Sequence, residues 1–186
     1  MSILPIVLYD DPILRTPAEK ISSDSDELQT LIDDMFETMY NGHGVGLAAP
    51  QIGESLQLFV VDADPMYDQD DDADRFGKQV FINPEIIEED ATKIAMDEGC
   101  LSIPGLTESV LRPDNIKVRY LDRHLNEQTV DFSGWMSRVF QHELDHLKGV
   151  LFIDYLGSFK RRLLKSKLNS VKAGDVDAGY PIKEKK

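Results

Sequence analysis

The chain has 186 residues, 41% of them hydrophobic, which suits one domain with a single buried core. Its formal net charge of -14 at pH 7 excludes a general electrostatic attraction to DNA, because most of the surface would repel a phosphate backbone. The sequence contains one cysteine, so an intramolecular disulfide is excluded, and the thiol is an inert buried group, a nucleophile or a metal ligand.

The N-terminal segment predicts neither export nor membrane insertion. It has no positively charged region and reaches Asp10 and Asp11 before any long apolar run, unlike a signal peptide. The chain also lacks the stretch of about 18 apolar residues that would span a bilayer. We therefore expect a cytoplasmic protein that does not enter membranes.

The first half of the chain predicts an amphipathic helix followed by strands. Residues 26–40 place apolar side chains at the spacing of one helical face. Asp24 and Glu27 suggest a capping box before this helix, and Asn41-Gly42 marks its end. Residues 56–61 and 79–82 indicate strands on either side of an aspartate-rich loop, residues 62–77.

The second half predicts strands and then helices. Strands are expected at 85–88, 93–96, 115–121 and 128–132, and helices at 135–148 and 157–172. This order predicts an α+β fold in which mostly antiparallel strands pack around the central helix 135–148, with an N-terminal and a C-terminal helix beside them. We assign residues 1–172 to one domain and residues 173–186 to a charged, flexible tail.

The central helix carries the H-E-x-x-H sequence His142-Glu143-Leu144-Asp145-His146. Residues four apart project from the same helical face, so both imidazoles can bind one metal ion while Glu143 lies beside the water that the ion activates. This geometry suits metal-assisted hydrolysis. A chance arrangement on a solvated helix fits the same five residues.

A third ligand decides which class of metal site is present. Phe152 stands where one group of metalloproteases carries a third histidine, and no glutamate lies between Glu143 and Glu184 to serve as the ligand of another group. The remaining donor is Cys100, since a thiolate forms readily beside a divalent cation and Gly99 allows a close backbone approach. A buried structural cysteine is the alternative.

Three segments, taken together, resemble the signature motifs of peptide deformylases in the order that the family has them. They are Gly44-x-Gly46-x-Ala48-Ala49-x-Gln51, Glu98-Gly99-Cys100-Leu101-Ser102 and Gln141-His142-Glu143-x-Asp145-His146. The likeness extends from the N-terminal helix through Tyr155. The family removes the formyl group from the N-terminal formylmethionine of new polypeptides, so the resemblance implies a hydrolase that releases formate from formylmethionyl nascent chains.

The resemblance also implies a role for each matched position. The metal ligands are Cys100, His142 and His146, and Glu143 is the general base and later the proton donor. Gln51 and the backbone N–H of Leu101 stabilise the oxyanion, while Val45, Gly46 and Gly99 bind the substrate. The implied native metal is ferrous iron, with zinc, nickel or cobalt as substitutes, although the ligand types alone suggest zinc.

Two other functions stay open for the metal site. One is a zinc peptidase of the H-E-x-x-H type, and the other is a structural metal-binding domain with His43 as a fourth ligand. The C-terminal helix adds a separate question, because it is basic on an otherwise acidic chain. It is either a solvated helix face or a transient contact with ribosomal RNA, and its basic residues are Lys160, Arg161, Arg162, Lys165, Lys167 and Lys172.

Overall fold

The computed structural model describes residues 2–68 and 74–184. This part of the chain contains four α-helices and seven strands. The helices are α1 (Asp26–Asn41), α2 (Gly134–Leu147), α3 (Ser158–Leu163) and α4 (Lys165–Ala173). The strands are β1 (Gly46–Ala48), β2 (Leu58–Val61), β3 (Gln79–Glu89), β4 (Lys93–Cys100), β5 (Ile103–Pro113), β6 (Ile116–Leu121) and β7 (Glu127–Phe132).

The main sheet is antiparallel and has the strand order β1-β2-β3-β6-β7. Strand β2 has four consecutive buried residues because a helix covers each face of the sheet. Leu58 and Val60 belong to a core cluster with α1, whereas Phe59 and Val61 belong to a cluster with α2. Side chains alternate between the faces of a strand, so this short apolar run joins both cores. The predicted α+β fold is confirmed.

Strands β4 and β5 form a separate antiparallel hairpin, with Cys100 paired to Ile103 across its turn. The prediction ended the first strand at residue 96 and missed the second strand entirely. Pro104 and Gly105 lie within β5, and both residue types disfavour a strand when judged locally. Pairing with β4 along the whole hairpin overrides that preference.

Three local predictions were wrong. The cap of α1 is Ser25, whose hydroxyl accepts from the Leu28 amide at 3.2 Å, so Asp24 does not cap the helix. The two strands expected at 79–82 and 85–88 are one strand, which passes Pro84 through a register shift. The single C-terminal helix is divided at Leu164 into α3 and α4.

No helix among residues 2–68 and 74–184 has the length and apolarity needed to cross a membrane.

The segment after α4 returns to the body of the protein. Ile182 forms a parallel bridge with Ile6. The Ile6 amide donates to the Pro181 carbonyl at 3.0 Å, and the Lys183 amide donates to the Ile6 carbonyl at 2.8 Å. Residues 185 and 186 of the tail lie outside the described residues, and the flexibility of the tail stays a prediction.

Candidate active site

Three potential metal ligands converge beneath the β4–β5 turn. The ligand atoms of Cys100, His142 and His146 all lie within 4.8 Å of one another, and both imidazoles are buried. The Cys100 Sγ atom is 3.3 Å from Nε2 of His146. One soft thiolate and two imidazoles at this spacing are a suitable ligand set for a divalent transition metal.

Helix α2 places the two histidines because its apolar side chains hold it against the sheet. Met136, Phe140 and Leu144 are buried in the core cluster formed with β2, β3 and β6. These residues are four apart and therefore share one face of the helix. The adjacent face, which contains His142 and His146, is directed at the hairpin. The hydrophobic pattern of the helix therefore sets the direction of the ligands.

The orientation of His142 depends on Glu98. Nδ1 of the ring lies 2.9 Å from Oε2 of Glu98, so Nδ1 carries the proton that is donated and Nε2 is left to bind a metal. Burial raises the pKa of Glu98, but hydrogen bonds from Arg112 and His142 outweigh burial and hold that pKa well below its usual range. Glu98 is therefore an ionised acceptor.

Glu98 belongs to a buried ion network. Arg112 donates to both of its oxygens, at 2.6 and 2.9 Å, and to Asp145 at 2.6 Å. Arg138 donates to Glu98 at 2.8 Å, and the Tyr155 hydroxyl donates to Asp145 at 2.9 Å. Charges removed from water need this degree of pairing, and the pairing fixes the carboxylate that orients His142.

His146 has a different environment. Burial, followed by the positive charge of His142, lowers the pKa of His146 well below its ordinary value. Its Nδ1 is buried and has no hydrogen-bond partner within the described ranges. A neutral ring is the form that binds a metal.

Glu143 faces the cleft beside the ligands. Its Oε2 atom is buried and makes no hydrogen bond to any described residue. Burial raises the pKa of Glu143 to about 7. A Cβ atom at Gly46 would overlap the Glu143 carboxylate, so a glycine in β1 makes room for this side chain.

Two hydrogen-bond donors stand next to Cys100. The Gln51 side chain is fixed because its Oε1 accepts from the Ala48 amide at 2.8 Å. Its Nε2 then lies 3.5 Å from Cys100 Sγ and 3.4 Å from Ser102 Oγ. Leu101 follows Cys100 directly in the turn. Both donors therefore belong to segments that touch the ligand cluster.

These groups line one cleft of about 400 Å³. The predicted substrate-binding residues Val45, Gly46 and Gly99 all lie in its wall. Several apolar side chains complete the lining, among them Ile103, Leu106, Trp135 and Val139. The cavity wall thus contains every residue of the predicted site except His146, whose Nε2 contacts the lining residue Cys100 at 3.3 Å.

The two residues weighed for other kinds of metal site are not ligands here. His43 lies in the cleft wall but is not one of the described residues whose ligand atoms converge. Phe152 is buried, and its ring centroid is 5.9 Å from that of His142. The position of a third protease histidine is therefore occupied by an apolar packing residue.

The comparisons with known proteins identify the family. The family model of polypeptide deformylase matches residues 3–162. A peptide deformylase of Salinibacter ruber is 49% identical over 183 residues, which cover 97% of this chain and 94% of that relative. The chain belongs to the polypeptide deformylase family. A peptide deformylase of Cytophaga hutchinsonii is 47% identical over 181 residues, covering 97% of both chains.

A solved deformylase structure agrees with the fold. The peptide deformylase of Ehrlichia chaffeensis in complex with actinonin has a TM-score of 0.84 and 36% identity, covering 95% of this chain and 100% of that chain. Polypeptide deformylases are metal-dependent hydrolases that remove the N-formyl group from nascent polypeptides, and the predicted function is confirmed at this level. The assignment replaces the zinc-peptidase and structural-domain alternatives.

Sequence reasoning gave no role to several residues that organise this deformylase site. Glu98 and Asp145 lie inside the signature motifs, and a charged residue on a buried helix or strand is a signal that it has a specific partner. Arg112 and Tyr155 lie outside the motifs, and Arg112 is in the strand that was not predicted. No local pattern marked these two residues.

Proposed function

We propose that Cys100, His142 and His146 hold ferrous iron, which zinc, nickel or cobalt can replace. Three protein ligands leave a coordination position open, as catalytic sites require. Nδ1 of His142 donates to Glu98 and Nε2 of His146 lies beside Cys100, which supports Nε2 of both rings as the donor atoms. Burial lowers the pKa of His142, but hydrogen bonds to Cys100 and Glu98 outweigh burial and raise that pKa to about 10, so the ion would displace a proton from His142 when it binds. When bound, the metal supplies Lewis-acid activation of water and of the formyl carbonyl.

Glu143 is the proton-transfer group in this proposal. Its carboxylate lines the cleft, and one of its oxygens has no partner among the described residues, so that oxygen is available to a water molecule. Glu143 accepts a proton as the water attacks the formyl carbon and then delivers it to the departing amine. The single observation that carries the assignment is this unpaired oxygen beside three converging ligands.

Gln51 and Leu101 are proposed to stabilise the oxyanion. The Gln51 amide is held by Ala48 with Nε2 beside Cys100, and the Leu101 N–H follows the cysteine in the turn. A donor aimed at developing negative charge commonly lowers the barrier by about 3 kcal/mol. These two groups hold the carbonyl oxygen while Glu143 moves the proton.

The substrate backbone is proposed to pair with β1. This strand is the first in the order of the main sheet, and among the described residues it pairs with β2 alone. An edge strand can accept an extended peptide as an added strand, which assigns backbone contacts to Val45 and Gly46, with Gly99 on the opposite wall. The apolar lining of the cleft suits the methionine side chain of a formylmethionyl chain.

Formate release tests this proposal. The protein is purified without oxygen, bound metal per chain is measured, and formate release from a formyl-Met peptide is assayed. Wild type should release formate, and Glu143→Ala should retain the metal while losing activity. Glu127→Ala, which changes an exposed glutamate of β7, is the matched control and should behave as wild type.

Two outcomes would contradict the assignment. Full metal loading without formate release by wild type would indicate a closed structural site. Undiminished activity of Glu143→Ala would remove the proposed role of that residue. Reloading the metal-free protein with each divalent ion then ranks iron against zinc, nickel and cobalt by kcat/KM.

We also propose that the protein works in the cytoplasm and makes a transient ribosome contact through α3 and α4. Arg161, Arg162 and Lys165 are exposed in these helices, together with the apolar side chains of Phe159 and Leu163, which are 73% and 67% exposed. Local positive charge can attract phosphate even on an acidic protein.

Co-sedimentation with ribosomes across a salt series tests this contact. Replacing both Arg162 and Lys165 by glutamate should abolish binding at low salt, whereas Lys117→Glu in β6 should not affect it. Equal binding by both variants would refute a role for the helices.

A further inference from the structure

The C-terminal segment reaches the active site through Tyr180. Its hydroxyl donates to the backbone carbonyl of Leu101 at 2.7 Å. Burial, followed by the nearby Cys100 charge, raises the pKa of Tyr180, so the hydroxyl remains a donor at neutral pH. The tail residues Asp177 and Ala178 lie with Tyr180 in the wall of the cleft. The tail therefore forms part of the cavity.

The tail is held where it is by the N-terminal segment. The Ile6 bridge to Ile182 places residues 181–183 beside Ile6. On the same segment the Val7 amide donates to the Gln51 carbonyl at 2.8 Å, and the Tyr9 amide donates to the Ser102 carbonyl at 2.9 Å. One extended segment thus connects the tail with both parts of the proposed oxyanion site.

The β4–β5 turn is consequently held at two successive carbonyls. Tyr180 binds the carbonyl of Leu101, and the Tyr9 amide binds that of Ser102. The Leu101 side chain packs closely against Gly42 and Gly44, where an added Cβ atom would lie 3.1 Å from its Cδ2 and 2.9 Å from its Cδ1. With side chain and carbonyl fixed, the torsion angles of Leu101 have little freedom, and its N–H direction is restricted.

We propose that Tyr180 is a positioning residue for deformylation, which holds the Leu101–Ser102 turn so that the Leu101 N–H is aimed at the reacting carbonyl. The tail is then an integral wall of the active site, and not the flexible segment that the sequence suggested. This inference rests on the proposed role of Leu101 as an oxyanion donor. Preorganised donors lose effectiveness when their direction is not maintained.

Tyr180→Phe tests the hydrogen bond because it removes only the hydroxyl and keeps the ring. We expect kcat per bound metal to fall by about threefold to tenfold, the effect of losing one hydrogen bond of ordinary strength. KM for a formyl-Met peptide should stay within about twofold, because ground-state binding does not use this donor. Tyr120→Phe is the matched control, since Tyr120 packs against Phe81 in the core and should leave kcat unchanged.

Amide hydrogen exchange supplies a readout that does not depend on activity. Exchange across residues 100–103 should be faster in metal-loaded Tyr180→Phe than in wild type, while exchange in α1 should be the same. An unchanged kcat overturns the inference, whether or not the melting temperature falls. Failure of wild type to release formate would instead overturn the proposed function, so the two failures are distinguishable.

Discussion

Replacing Arg112 with methionine removes the central cation of the buried network behind His142. Arg112 is 3% exposed and makes three hydrogen bonds to carboxylates, two to Glu98 and one to Asp145. In the variant Glu98 keeps Arg138 and His142 as donors, whereas Asp145 keeps only the Tyr155 hydroxyl among these contacts. A buried carboxylate would then be left without its cation.

The expected loss of stability is large. Removing one partner of a buried ion pair costs about 3–5 kcal/mol. At about 2–4 °C per kcal/mol for a chain of this size, the melting temperature should fall by roughly 6–20 °C. Because Glu98 also orients His142, metal affinity should weaken by about 10- to 100-fold.

Arg119→Met is the matched control, because Arg119 pairs with Glu85 and both side chains are 50% exposed. An exposed pair contributes about 1 kcal/mol or less. Thermal unfolding followed by circular dichroism, with metal content measured in parallel, compares the two variants. Equal shifts in melting temperature would refute the reasoning, since burial of the ion pair would then make no difference.

Further predictions concern the cleft, the metal and the end of α2. Gly46→Ala should lower kcat/KM for formate release by about 100-fold, because the added methyl displaces the Glu143 carboxylate. Near-normal activity would contradict this prediction, since the carboxylate could then move without loss of activity. Removing the metal with a chelator should abolish activity and lower the melting temperature, because a ligand that binds only the folded state stabilises it. Calorimetry before and after reloading measures the change. An unchanged melting temperature would contradict metal binding at this site. Gly149→Ala should destabilise the fold by about 2–4 kcal/mol in urea unfolding, because φ is +75° and the new Cβ would lie 2.7 Å from the Arg15 carbonyl carbon. Gly174→Ala is the control, because Gly174 has the same φ but open space around it. If both variants lost the same free energy of unfolding, the steric explanation for Gly149 would be excluded.

Much of the candidate site could be predicted without coordinates because its chemistry is concentrated in short motifs. The spacing of His142 and His146 defines one face of a helix. Cys100 is the single cysteine of the chain, so the choice of a third ligand was narrow. Helix α1 was also predictable, since its apolar periodicity is complete over four turns.

Other features depend on pairing between distant segments. Strand β5 contains Pro104 and Gly105, and its identity comes from hydrogen bonds to β4 that no local pattern contains. Arg112 is a typical exposed charge when judged from its neighbours in sequence. It is buried only because α2 and the hairpin bring Glu98 and Asp145 to the same place.

The sequence by itself supported the prediction of the candidate metal ligands, of Glu143 as the proton-transfer residue and of most helices and strands, because residue type and spacing indicate these directly. Only the tertiary structure decided how the ligands are oriented and what encloses them. Glu98 reaches His142 across 44 positions of the chain, and Tyr180 reaches Leu101 across 79. Such contacts arise when elements pack, since side-chain direction and burial are properties of the folded chain and not of a local segment.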